Sequence, residues 1–207
     1  MEKIRDTIVK HYKDEIISLY LYGSRAVGDE VEGISDYNFF LVLKNYKPSK
    51  ALSINYPPFI FTIEEIYKSL DTFPIELLDI KERGRLLFGN DVLREISIND
   101  GNLKMQIERE LKEKLINFRR VLNSFNENIP IFIYHTYKSL TSILRAILHI
   151  ENLNKPLRRS LIYYEISKFL KINYNLFLKL EERNFSNLDE IVENFYNFLD
   201  MLCNKYS

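Results

Sequence analysis

Asp36 and Asn38 lie two residues apart at the head of an apolar stretch ending at Leu43, so on a strand both side chains turn to one face. Paired carboxylates in that geometry share divalent cations, which orient phosphates and offset the charge of a leaving group. Here the second position offers only an amide oxygen. That oxygen can ligate a hard cation but brings no negative charge. Upstream, the apolar run 17–22 ends at Gly23, where the missing Cβ lets backbone N–H groups approach a ligand closely. Ser24 adds a hydroxyl. A helix starting there would add partial positive charge and free N–H donors, making an anion site suited to the terminal phosphates of a nucleotide.

The elements that position these residues can be read from spacing. Ile4, Ile8 and His11 recur at helical intervals. Strands are expected over 17–22, 37–43 and 59–61, the last halted upstream by Pro57 and Pro58. Thr62 with Glu65 predicts a capping box and a helix start. A further strand is expected over 75–80, then a short helix over 81–88 ending at Gly89. Residues 99–102 form the strongest turn cluster, and beyond it the pattern is helical throughout. Pro130 opens a second helix reaching about residue 151, Pro156 a third reaching about 182, and Ser186 caps a fourth. The expected class is α+β: a small mixed β-sheet with flanking helices over 1–100, then an all-α helical bundle over 101–207.

Gly23-Ser24, then Gly28, then Ser35-Asp36-Tyr37-Asn38 before an apolar strand resembles the signature of the polymerase beta nucleotidyltransferase superfamily. The match is closest to minimal nucleotidyltransferase domains followed by a HEPN-like or kanamycin nucleotidyltransferase-like helical bundle. The motif covers about one-eighth of the chain. The resemblance implies transfer of a nucleoside monophosphate from a nucleoside triphosphate to a hydroxyl, with magnesium. It assigns nucleotide binding to Gly23, Ser24 and Arg25, and catalysis and metal binding to Asp36, Asn38 and a third carboxylate on a neighbouring strand. Glu76 and Asp79 are the candidates for that third position. Three apart on a strand they would face opposite ways, and the family pattern favours Glu76. Two departures stand out: the spacing to Asp36 is one residue longer, an extra residue expected within 29–33, and Asn38 replaces an acid. The alternative reading is therefore a catalytically degenerate nucleotide-binding or antitoxin-like partner-binding module.

Bulk composition is neutral toward these readings. Basic and acidic side chains number 29 each, so a strong general affinity for nucleic acid is not written into the charge, although nucleic acid stays open as an acceptor. The first hundred residues carry 13 basic and 17 acidic side chains, the rest 16 and 12. A lone Cys203 precludes an intrachain disulfide, and neither a signal segment nor a membrane-length apolar run is present, so a cytoplasmic protein is expected. The acceptor is unspecified, and a protein partner or homodimer is compatible with the bundle. Within that bundle, Arg145 and His149 share a helical face, but their spacing misses the HEPN ribonuclease motif, and packing or recognition of substrate is the expected role. Arg158 and Arg159 are expected at the solvated surface, and the Tyr and Phe residues of 161–177 in the core.

Overall fold

A computed structural model of the chain describes residues 1–30, 35–124 and 128–207. The chain divides into two compact units, Met1–Asn99 and Asp100–Ser207.

The first unit is built on a four-stranded mixed sheet of β1 (Ile16–Tyr22), β2 (Asn38–Leu43), β3 (Phe59–Thr62) and β4 (Arg85–Gly89), in the order β3-β2-β1-β4. β1 runs antiparallel to both β2 and β4, and β3 lies parallel to β2. The two central strands are apolar on both faces, as strands covered on both sides must be. Leu19, Leu21, Phe39, Leu41 and Leu43 pack with Ile8 and Tyr12 of helix α1 (Glu2–Tyr12). Tyr20, Phe40 and Val42 point the other way. They pack with Ile66 of α3 (Ile63–Lys68) and with Leu77 and Ile80 of α4 (Pro74–Arg83). A register shift between Ile16 and Ser18 puts Ile16 on the same side as Leu19. The capping box is present: Glu65 N–H donates to Thr62 Oγ1 at 3.2 Å, and Thr62 N–H to Glu65 Oε2 at 2.7 Å.

Two expected elements are exchanged. Residues 75–80 are helical, within α4, and the sequence expected to form a short helix supplies strand β4. Pro74 occupies the first turn of α4, where its missing N–H costs nothing. Buried Ile75, Leu77, Leu78 and Ile80 form a continuous apolar face on that helix, a pattern a short run cannot distinguish from a strand. β4 is half-exposed at the sheet edge, with Leu86 and Phe88 facing solvent, which blurs its strand signal.

The second unit comprises α5 (Asp100–Leu122), α6 (Ile129–Ile150), α7 (Arg159–Leu170), α8 (Asn175–Glu181) and α9 (Leu188–Lys205). The expected turn at 99–102 is instead the first turn of α5, where Asp100 suits the helix N-terminus. The expected third helix is broken: Lys171 adopts φ 57, ψ 41 and separates α7 from α8. Asn187, not Ser186, precedes α9. Arg159 is buried rather than solvated. Its Nε and Nη2 donate to Glu181 at 3.1 and 3.0 Å, and Tyr137 Oη donates to the same carboxylate at 2.6 Å. Tyr163 and Phe177 are fully buried with ring centroids 4.6 Å apart, a core role. Arg145 is buried and donates to the carbonyls of Lys155 and Pro156, tying down the loop after α6. Packing is thus the role its geometry serves. No helix among the described residues is long and apolar enough to cross a membrane.

Candidate functional site

β1 ends at Tyr22, paired across the ladder with Asn38, the first residue of β2. The chain then turns at Gly23, whose φ 75 and ψ −159 fall in a region essentially reserved for glycine. One helical turn, α2 (Ser24–Val27), follows. It closes at Gly28 in the left-handed conformation, with Asp29 N–H donating to the Ser24 carbonyl at 3.0 Å. The two glycines therefore act differently: Gly23 shapes entry into the loop and Gly28 its exit.

Arg25 anchors the loop. Its Nε donates to the Ser35 carbonyl at 2.8 Å, and its guanidinium stacks 4.2 Å from the Tyr37 ring centroid. These contacts fix the start of β2 relative to the turn, and with it the backbone on either side of Asp36. The extra residue expected within 29–33 falls partly on residues outside those described.

Asn38 alternates with Phe40 and Val42 and so projects to the α4 side of the sheet. Its side chain lies directly against Gly23: a Cβ built on Gly23 would come within 2.9 Å of Asn38 Nδ2. The Gly-Ser turn and the Asp-x-Asn strand, fifteen residues apart in sequence from Gly23 to Asn38, meet at this contact. Asp36 precedes β2 and is exposed.

Neither candidate for the third carboxylate lies on a strand. β3 is the strand that neighbours β2 on the side away from β1, and Phe59, Ile60, Phe61 and Thr62 carry no acid. Glu76 and Asp79 lie on a helix, where a spacing of three brings them to one face rather than opposite faces. Burial pushes the Tyr22 phenol up, and the negative charges of Glu76 and Asp79 raise it further. Asp79 is committed to an ion pair, accepting from Arg83 Nη1 at 3.2 Å with both side chains largely buried. Among the described residues, no three His, Cys, Asp or Glu side chains gather closely enough to hold a metal ion. Asp36 and Asn38 together offer one carboxylate and one amide oxygen. Sequence reasoning did not single out Tyr22. Its position immediately before Gly23 and opposite Asn38 was the available signal.

No family model matches the chain, and no curated protein matches it. Among solved structures, spectinomycin adenyltransferase AAD(9) from Enterococcus faecialis, whose crystal structure includes ATP and spectinomycin, is similar with a TM-score of 0.62. The likeness covers 98% of this chain and 97% of that one at 14% sequence identity. At that identity it is a statement about fold. With the mixed sheet, the glycine turn after β1 and the helices of the second unit, it gives the chain the α+β fold of that adenyltransferase, a small mixed sheet with flanking helices followed by a helical unit.

Proposed function

We propose that this protein binds a nucleoside triphosphate at the loop formed by residues 23–28 and is a nucleotidyltransferase-fold protein with curtailed transfer chemistry. The observation that carries this reading is Asn38 seated against Gly23. That contact supports the identification of the loop and strand as one site. It also sets an uncharged side chain where a second metal-binding acid would stand. A triphosphate brings several negative charges, and cations offset them during transfer only when protein carboxylates hold those cations in place. Asp36 supplies a single such charge. Magnesium arriving with the nucleotide would meet the Asp36 carboxylate and the Asn38 amide oxygen, a weaker and less charged seat than two acids provide.

A second reading, an active transferase moving a nucleoside monophosphate to a hydroxyl acceptor, is favoured by Glu76. That carboxylate acts on Tyr22 from α4, on the same side of the sheet as Asn38. The ATP in the AAD(9) structure supports ATP as the nucleotide to test first.

Calorimetry of the full chain with ATP, GTP, CTP and UTP in magnesium, alongside pyrophosphate release with hydroxyl acceptors, separates the readings. Binding without turnover, with turnover gained on Asn38→Asp, is the expected result. Failure to bind any nucleotide would sink both readings. Pyrophosphate release by the parent as fast as by Asn38→Asp would select the second.

A further inference from the structure

The second unit contains a cavity of about 340 Å³ between α8 and α9, at the small end of the range for small-molecule sites. Its floor is apolar: Ile191 and Phe198 are buried there, and Leu176 and Met201 border it. Its walls carry amides. Asn194 and Asn197 lie three apart on one face of α9, Asn175 of α8 borders the same cavity, and all three are exposed at its mouth. Among the described residues none of these three side-chain amides makes a hydrogen bond. Each presents a donor and an acceptor side by side.

The charged groups at the cavity are already matched. Lys179 Nζ donates to both oxygens of Glu190 at 3.2 Å, and Asn187 Nδ2 donates to the same carboxylate at 2.8 Å. The cavity therefore offers no uncommitted cation for a polyphosphate and no uncommitted carboxylate for an ammonium group. What it offers is amide donor–acceptor edges beside an apolar floor, with the polarizable Met201 sulfur at the border. Asparagine amides complement the hydrogen-bonding edge of a nitrogen heterocycle in a bidentate manner. From this we infer that the α8–α9 cavity is a binding site for a neutral nitrogen heterocycle of the nucleobase class, held edge-on by Asn194 and Asn197. The inference is independent of nucleotide binding by the first unit, because the recognised group carries no phosphate.

The test is a proton–nitrogen correlation titration of the full chain with adenosine and cytidine, with ribose as control. Saturable shifts of the Asn194 and Asn197 side-chain amides and of the α8 and α9 backbone are expected, with ribose silent. The double substitution Asn194→Ala/Asn197→Ala should weaken binding about tenfold or more through lost hydrogen bonds. Because both positions are exposed on a helix, the unfolding midpoint should stay near that of the parent. No saturable shift, equal shifts with ribose, shifts confined to residues 17–43, or undiminished affinity in the double variant would each overturn the inference.

Discussion

Gly23→Ala should destabilise the first unit for two separable reasons. The first is conformational: φ 75 with ψ −159 suits glycine alone, and holding another residue there costs about 1–3 kcal/mol. The second is steric. The new methyl would meet Asn38 Nδ2 at 2.9 Å, so the amide must shift from its place beside β1, adding about 1 kcal/mol of overpacking. The expected total is about 2–4 kcal/mol, a large part of the stability of a small domain. Urea denaturation followed by far-ultraviolet circular dichroism measures the whole chain, and amide exchange at Leu21 and Phe39 isolates the sheet. A cycle with Asn38→Ala divides the two causes. Removing the Asn38 side chain should recover about 1 kcal/mol as coupling energy and leave the backbone part in place. A Gly23→Ala variant within about 0.5 kcal/mol of the parent would refute the conformational argument. Zero coupling to Asn38 would refute the contact.

Asn38→Asp should place a second carboxylate two residues from Asp36 at the start of β2, lowering the melting temperature without magnesium and restoring it with magnesium, as thermal scans with and without the cation would show. Indifference to magnesium would count against a shared cation there. Tyr20→Phe removes the hydroxyl that donates to Asp91 at 2.9 Å and accepts from the buried Leu93 N–H at 3.2 Å, and should cost about 1–3 kcal/mol in urea denaturation. The same burial, with Asp91 beside it, pushes the Tyr20 phenol up to about 12, so ultraviolet titration should find it protonated long after exposed tyrosines ionise. For Glu181, burial pushes the carboxyl up, but hydrogen bonds from Arg159 and Tyr137 outweigh it and hold the group below its ordinary 4.5. Its contribution is therefore complete above pH 4.5 and lost as pH falls through the lowered folded value. Glu181→Gln should remove that share of the acid sensitivity, measured as a flatter stability profile below pH 4.5.

What was legible in the sequence follows the strength of local signals. β1 and β2 are apolar on both faces and bounded by Gly23 and Asp36, so length and flanks identify them. The Thr62–Glu65 box and the long amphipathic faces of α5 and α6 carry their own start signals and periodicity. The exchange of α4 and β4 arose where local information was weakest. Residues 75–80 are apolar at positions that serve a helix face or a buried strand equally, and only the tertiary demand to cover Tyr20, Phe40 and Val42 selects the helix. Lys171 breaks the bundle in a left-handed conformation without glycine or proline to announce it. At the candidate site, the residue types at the loop and strand were legible, whereas the contact of Asn38 with Gly23 and the placement of Glu76 on a helix depended on long-range pairing.

The sheet order has a consequence for synthesis. β1 is the first strand made, but one of its two neighbours, β4, is the last, and Leu19 pairs with Phe88 across nearly seventy residues. A nascent chain that has exposed β1 and β2 but not Gly89 carries an open ladder along one side of a strand whose residues are mostly buried in the finished fold. Such an edge recruits strands from other chains. Fragments ending before Arg85 should therefore aggregate rather than persist as smaller folded units. The second unit carries a delay of the same kind, because Phe118 of α5 packs against Phe195 of α9, so neither unit closes its core until its last element has been made.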